Sequence, residues 1–327
     1  MNESASSKSI VASNHTPELD GVRGLAILAV TVYRFSRDIP TDTRLGAVLH
    51  DALTLGSRGV ELFFVLSGFL ITGVLLDAKS SPHRYRNFFA RRSLRIFPLY
   101  FAALGLFVVI LPLILGSRAP FTQATEQQFY LWTYLSNIRM SWMGGWSFGR
   151  LDHFWSLAVE EHFYLVCAAS RIVFAAWSDN DVAPDVFSFF RFDAMLIGAV
   201  LVIYRRSQPT TRSPVQSIRF LRILLILSAV ATLAVALYNR RLLTAAGTAF
   251  PFTFALLIAV VLRPESRSNL ARAFRWRWLR SLGKYSYAMY VFQSPLIPLV
   301  ALLPFSASVF DRLGGDDSIV AHLIYIA

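Results

Sequence analysis

Long apolar runs alternate with short basic loops along the chain. A helix that crosses a bilayer needs about 20 mostly apolar residues. Eight runs reach or approach this length, namely Leu19–Phe35, Val60–Leu76, Ile96–Leu115, Phe154–Trp177, Phe187–Tyr204, Leu221–Tyr238, Ala245–Leu262 and Leu282–Leu303. A ninth run, Ile319–Ala327, has nine residues and is too short to cross. The pattern predicts an all-α fold, a polytopic membrane helix bundle of about 8–10 spans.

The composition agrees with a membrane domain. Hydrophobic residues make up 55% of the chain and charged residues only 16%, whereas a soluble domain carries about 25% charged residues. No Gly/Ser/Pro-rich linker divides the sequence, so residues 17–327 are expected to form one domain after a polar, disordered segment at residues 1–16. That segment has no apolar core before a small-residue cleavage site, so no cleavable signal peptide is expected. The single cysteine, Cys167, excludes an intrachain disulfide.

The net charge is +12, and most of the positive charge lies in loops beside apolar runs. This distribution suits anionic lipid headgroups rather than nucleic acid, which is not expected as a partner. Three loops are strongly basic. They hold Arg84, Arg86, Arg91, Arg92 and Arg95; Arg205, Arg206, Arg212, Arg219 and Arg222; and Arg263, Arg267, Arg272, Arg275, Arg277, Arg280 and Lys284. All three are predicted to be cytoplasmic, and the N-terminus with them, because two spans precede the first loop.

The number of crossings between the first and second basic loops conflicts with this orientation. Three runs lie between them, and three crossings would place the second loop outside. Either Phe154–Trp177, which Arg171 interrupts, is a hairpin too short to return fully, or Gln128–Met143 also crosses. The acidic stretch Ser178–Asp185 is predicted to be extracytoplasmic. The sequence leaves both alternatives open.

Two arginines lie within the first apolar run. Arg23 and Arg34 are eleven residues apart, about three helical turns, so they share one face of a helix. An arginine inside a span is costly unless it faces protein, water or an anionic partner. They either snorkel to opposite interfaces or form a face that binds an anion or a thioester.

A second basic group begins the third apolar run. Arg91, Arg92 and Arg95 suit phosphate groups, because the guanidinium fork binds them bidentately, although plain positive-inside topology also explains them. In the second run, Ser67 and Gly68 are interpreted as helix-packing residues. No base at a fixed spacing marks Ser67 as a nucleophile.

Ionisable groups also gather around the start of the fourth run. His153, Glu160, Glu161 and His162 lie at or within an apolar segment, where carboxylates and histidines often transfer protons. The spacing is not His-Glu-x-x-His, so no metal site is predicted. Gln293, inside the last long run, needs a polar partner.

Six motifs in fixed order resemble acyltransferase family 3. They are LDGVRG at 19–24, FFVLSGFLI at 63–71, RRSLRIFP at 91–98, FWSLAVEEHFY at 154–164, RFDAMLIG at 191–198 and LGKYSY at 282–287. The family consists of multispanning O-acyltransferases that modify surface polysaccharides, lipopolysaccharide and related glycans. The resemblance implies transfer of an acyl group, above all acetyl, from cytoplasmic acyl-CoA to a hydroxyl of a glycan or lipid-linked sugar. Acetyl-CoA is then a donor substrate, and no tightly bound cofactor is expected.

The same resemblance implies roles for individual residues. Arg23, Arg34, Glu160, Glu161 and His162 become candidate catalytic residues. Arg91, Arg92 and Arg95 become candidates for binding acyl-CoA, and Tyr33 and Trp155 for lining a channel. The family also has a further crossing between the fourth and fifth motifs, where this chain is short, near 166–186, and a last span near Ile319.

Two positions depart from the family pattern. The family places a histidine eleven residues after the first-span arginine, as its usual candidate base, and another in the late span, where this chain has Arg34 and Gln293. Arginine stays protonated and accepts no proton, so the base would be His153, His162, Glu160 or Glu161. The alternative is a catalytically inactive, shortened member of the family. A transporter is disfavoured, because the sequence has no inverted repeat or pair of broken helices.

Overall fold

The computed structural model describes residues 16–36, 44–78, 83–116, 120–165, 188–207, 218–238, 248–262 and 269–301. Every regular element in these ranges is helical, which confirms the all-α prediction. Four predicted features lie outside the described residues. They are residues 1–15 of the predicted disordered segment, the short interval near 166–186, the acidic stretch Ser178–Asp185 and the run Ile319–Ala327.

Within the described residues, the predicted spans coincide with helices to within a few residues at most ends. The part of Phe154–Trp177 after Leu165 lies outside the described residues. The helices are α1 (Pro17–Phe35), α2 (Arg44–Thr54), α3 (Gly59–Asp77), α4 (Arg84–Leu104), α5 (Leu111–Leu115), α6 (Thr122–Glu126), α7 (Gln128–Trp132), α8 (Ser136–Met143), α9 (Trp155–Leu165), α10 (Ser188–Ser207), α11 (Ile218–Tyr238), α12 (Ala249–Val261), α13 (Asn269–Phe274) and α14 (Arg277–Ala301). A 3₁₀ turn, Leu55–Arg58, leads into α3, and another, Gly149–Phe154, leads into α9. A π-helical segment, Gly105–Ile110, joins α4 to α5.

Two helical stretches in the described chain are long and apolar enough to cross a membrane by themselves. They are Val48–Asp77 and Arg86–Leu115, each of 30 residues. Residues 128–143, the alternative extra crossing, do not form one continuous helix. They form α7 and α8, separated at Tyr134, whose φ of 57° interrupts the helix.

Glycines bring pairs of helices into backbone contact. A Cβ at Gly24 would collide with the Leu279 carbonyl, so α1 and α14 touch without intervening side chains. A Cβ at Gly68 would collide with the Met195 carbonyl, and one at Gly198 with the Val65 carbonyl, so α3 and α10 do the same. Small residues at such crossings are typical of helix packing in membranes.

Polar contacts place several helix termini at one end of the bundle. Arg275 Nε donates to Glu18 at 2.6 Å, joining the starts of α1 and α14. Arg206 pairs with Asp77 at 2.6 Å, joining the last turns of α3 and α10. Because the start of α3 packs beside the end of α1, both contacts lie at the same end. We call this the basic end, since the described parts of all three basic segments adjoin it.

The bundle also exposes apolar side chains. On α11 these are Ile223, Ile226, Leu227, Val230 and Leu233. Their spacing places most of them along one stripe of the helix. An exposed apolar surface of this kind marks contact with protein or lipid.

Candidate active site

Four polar side chains from α3, α4 and α9 meet inside the bundle. Ser67 Oγ donates to Glu160 Oε1 at 3.0 Å, and Arg92 Nη2 donates to Glu160 Oε2 at 2.8 Å. The same Arg92 nitrogen lies 3.3 Å from Glu161 Oε1. The three charged side chains are only 15–21% exposed. We call Ser67, Arg92, Glu160 and Glu161 the carboxylate site.

Packing next to the site fixes the register between α3 and α9. The Phe64 and Trp155 rings meet edge to face, with centroids 6.0 Å apart, about one turn before Ser67 and Glu160. The two helices therefore run in the same direction. Gly68, beside Ser67, holds the other side of α3 against α10. The apolar packing orients the serine hydroxyl toward the carboxylate.

Several other groups surround the carboxylate site. Arg23 on α1 is attracted electrostatically by Glu160 and repelled by Arg95. The Tyr287 ring on α14 is within electrostatic range of both carboxylates, and its hydroxyl donates to the Ile96 carbonyl at 2.9 Å.

Three of the other predicted residues, His162, Arg91 and Arg95, lie at the edge of the site. His162 Nδ1 is 3.4 Å from the Asn137 amide nitrogen on α8, so it faces away from Ser67. Arg91 and Arg95 are exposed on α4. The structure thus brings Arg23, Arg92, Glu160 and Glu161 together, with the two exposed arginines on the side of the basic end.

Arg34 belongs to a different polar group. It interacts electrostatically with His153 and Tyr290, and no hydrogen bond or ion pair within the described residues joins it to the carboxylate site. Nearby, Gln293 Oε1 accepts a hydrogen bond of 2.9 Å from the Thr31 hydroxyl, which supplies the polar partner that Gln293 was expected to need. We call Thr31, Arg34, His153, Tyr290 and Gln293 the distal group.

His153 is a poor proton acceptor in this arrangement. Its side chain is fully buried, and Nε2 donates to the Val291 carbonyl at 3.2 Å, which places a proton on Nε2. Burial and the Arg34 guanidinium both disfavour a positive charge on the ring. The Tyr290 hydroxyl donates to the His153 carbonyl at 3.0 Å and so anchors the backbone there.

The two polar groups lie at different depths. His153 precedes Glu160 by seven residues, about 10 Å of helix axis. Since α9 runs in the direction of α3, whose last turn is at the basic end, Glu160 is the nearer of the two to that end. Arg34 is at the last turn of α1, away from the basic end.

An apolar cleft of about 420 Å³ lies apart from these polar groups, between α1, α3, α11 and α12. Its lining is almost entirely hydrophobic, with Arg58 at one side, paired to Glu61 at 2.8 Å. It contains none of the carboxylate-site residues. Across the described ranges, no cluster of three or more His, Cys, Asp or Glu side chains could hold a metal ion.

The sequence alone does not predict the hydrogen bond between Ser67 and Glu160 or the position of Tyr287. A usable signal was present. Arg92, Glu160 and Glu161 are opposite charges in apolar segments, and such charges pair with one another when buried. The serine that completes the group is determined by where α3 crosses α9. The sequence of a single segment does not specify that crossing.

The chain is similar to a known protein family and to several known proteins. The family model of acyltransferase family 3, described as an acyltransferase domain, matches residues 16–179, about half of the chain. The peptidoglycan O-acetyltransferase OatA of Listeria monocytogenes is 28% identical over 333 residues, covering 87% of this chain and 50% of that protein.

Other relatives carry similar descriptions. The putative peptidoglycan O-acetyltransferase YrhL of Bacillus subtilis is 27% identical over 336 residues, covering 87% of this chain and 49% of that protein. A putative O-acetyltransferase of Staphylococcus aureus is 28% identical over 165 residues, 46% of this chain and 24% of its own. The chain spans about half the length of the first two relatives. No solved structure matches it.

Proposed function

The chain belongs to acyltransferase family 3, as its six motifs predicted, and from this premise we propose that it is a membrane O-acetyltransferase. Its donor is acetyl-CoA, and its acceptor is a hydroxyl of a cell-surface glycan. The observation that carries the proposal is the carboxylate site, in which a partly buried carboxylate, Glu160, is held between a hydroxyl and a guanidinium. Peptidoglycan in the descriptions of two relatives supports a glycan acceptor.

The proposed setting is a multi-pass arrangement with the basic end in the cytoplasm. Two 30-residue apolar helical stretches and the exposed apolar stripe of α11 support it. The gathering of helix termini and basic segments at one end agrees with the rule that cytoplasmic loops carry the excess of Lys and Arg. The N-terminus then also lies in the cytoplasm.

The proposed donor site is the part of α4 that faces the basic end. Arg91 and Arg95 are exposed there, beside a carboxylate site that Arg92 occupies. Their guanidinium groups bind the phosphates of acetyl-CoA, because charge-assisted hydrogen bonds to phosphate are strong and often bidentate. The thioester then points into the bundle toward Glu160.

Glu160 is the proposed proton acceptor. Arg34 stands where the family has its usual candidate base, and His153 is buried beside that arginine. Glu160 already accepts a hydrogen bond from a hydroxyl, which is the geometry that a general base requires. Arg92 orients it, while Arg23 and Arg92 stabilise negative charge on the thioester oxygen as the carbonyl is attacked.

The second candidate is a catalytically inactive member of the family. Arg34 and Gln293 at the two histidine positions are the observations that favour it. The two candidates differ in one product. Purified protein in proteoliposomes, given radiolabelled acetyl-CoA and soluble peptidoglycan fragments, transfers label in a base-labile ester if the enzyme hypothesis is right. Label no greater than with empty liposomes supports the inactive candidate.

A further inference from the structure

The Ser67 hydroxyl donates to a charged group on another helix. Several helical hydroxyls among the described residues bond to carbonyls of their own helix three or four residues earlier, as in Thr54 to His50 and Thr253 to Ala249. Such back-bonding is the ordinary way to satisfy a hydroxyl in an apolar helix. The Thr31 hydroxyl bonds to another helix, but to the neutral amide of Gln293. Ser67 instead donates to a carboxylate on another helix, at 3.0 Å.

The arrangement around Ser67 has the three parts of an activated nucleophile. A hydroxyl, a carboxylate that accepts its proton, and a third group that orients the carboxylate are the general requirement. Ser67, Glu160 and Arg92 supply these parts in that order. Helix packing does not explain Ser67, because Gly68 and Gly198 provide the close approach of α3 to α10.

Ser67 lies near the middle of α3. It lies ten residues before Asp77, which is at the basic end, and eight after Gly59. At 1.5 Å per residue it is about 15 Å from the basic end and about 12 Å from the other end of the helix. A donor entering from one end and an acceptor from the other would both reach a group at this depth.

We propose, on the premise of the proposed function, that Ser67 is acetylated transiently and carries the acetyl group from donor to acceptor. We call this transfer through Ser67 the relay. In the first step, Ser67 Oγ bonds to the acetyl carbonyl carbon and the C–S bond of the thioester breaks. The hydroxyl proton passes to Glu160 and then to the CoA sulfur, which leaves as the free thiol.

In the second step, the acceptor hydroxyl oxygen bonds to the same carbon and the C–Oγ bond breaks. The acceptor proton passes through Glu160 to Ser67 Oγ, and the free serine is restored. No oxidant, reductant or further reactant is needed. The two substrates need not occupy the site together, which predicts ping-pong kinetics.

The test is trapping of the acetyl-enzyme in proteoliposomes with radiolabelled acetyl-CoA and no acceptor. Wild-type protein should retain label through denaturation, in the peptide that contains Ser67. Ser67→Ala should lose the label and lower transfer to peptidoglycan fragments at least about 100-fold. Ser67→Cys should carry its label as a thioester, which neutral hydroxylamine cleaves faster than the oxygen ester of the wild type.

The matched control is Thr72→Val on the same helix, which should keep both label and transfer. The relay is overturned if wild-type protein carries no label at Ser67, or if Ser67→Ala transfers within about tenfold of the wild-type rate. Wild-type transfer without label overturns the relay and leaves the proposed function standing. Label at Ser67 without transfer to the fragments supports the relay and counts against the glycan acceptor.

Discussion

Ser67 and Glu160, which are 93 residues apart in the chain, are joined by a hydrogen bond of 3.0 Å between α3 and α9. The bond lies inside a bundle whose helices are packed mainly through apolar side chains and glycines. It connects two motifs that the sequence presents separately. Arg92 shares this connection, because it donates to the other oxygen of Glu160 at 2.8 Å.

Arg92 should contribute strongly to stability. Arg92→Ala leaves two neighbouring, mostly buried carboxylates without their guanidinium, and we expect a loss on the order of 3 kcal/mol in the free energy of unfolding. Thermal unfolding in detergent measures it. The matched control is Arg206→Ala, which breaks a more exposed pair with Asp77 and should cost less than about 1 kcal/mol. Equal losses in the two variants would contradict the importance of the buried position.

The close crossing of α3 and α10 should not tolerate a methyl group. Gly68→Ala places a Cβ against the Met195 carbonyl, and we expect destabilisation of about 1–3 kcal/mol from overpacking. Gly105→Ala is the control, because a Cβ there meets nothing within 4 Å. That variant should be neutral, or more stable by up to about 1 kcal/mol. The same melting temperature for both would refute the crossing.

Restoring a histidine at position 34 should not restore a base. Glu160 is the proposed acceptor of the hydroxyl proton, so Arg34→His should change the transfer rate by less than about tenfold. An added effective base would contribute about 100-fold or more. Arg34→Gln removes the charge without adding an ionisable ring and serves as the control. A large gain in Arg34→His alone would move the base to the distal group.

The exposed arginines of α4 should affect donor affinity. Arg91→Ala or Arg95→Ala removes a charge-assisted contact to phosphate, and each should raise the KM for acetyl-CoA on the order of tenfold with kcat nearly unchanged. Arg150→Ala, exposed just before α9 and away from the basic end, is the control. Unaltered KM in all three variants would place the donor site elsewhere.

Much of the helical architecture could be predicted from the sequence, because a run of apolar residues determines whether a segment forms a buried or lipid-facing helix. The apolar pattern does not predict α2, and it places the start of α4 at Ile96 instead of Arg84. Arginines with long apolar stems continue a helix into a polar region while their charges remain solvated. Hydropathy alone therefore places the start of such a helix too late.

The candidate site was only partly predictable. Arg92, Glu160 and Glu161 could be selected because charge inside an apolar segment is costly and must be compensated. Ser67 could not, because its significance comes from the crossing that Gly68 permits and from the Phe64–Trp155 contact one turn earlier. Helical periodicity predicts that Arg34 shares a face with Arg23, yet the two side chains interact with different partners at different depths.

The proposed role of Glu160 is tested by the rate of acetyl transfer by Glu160→Gln in proteoliposomes, with acetyl-CoA as donor and peptidoglycan fragments as acceptor. The amide keeps the shape of the side chain but accepts no proton from the attacking hydroxyl, so we expect a loss of at least about 100-fold. Glu126→Gln, exposed on α6, should retain the wild-type rate. A Glu160→Gln variant that folds normally and transfers acetyl as fast as the wild type would contradict the account.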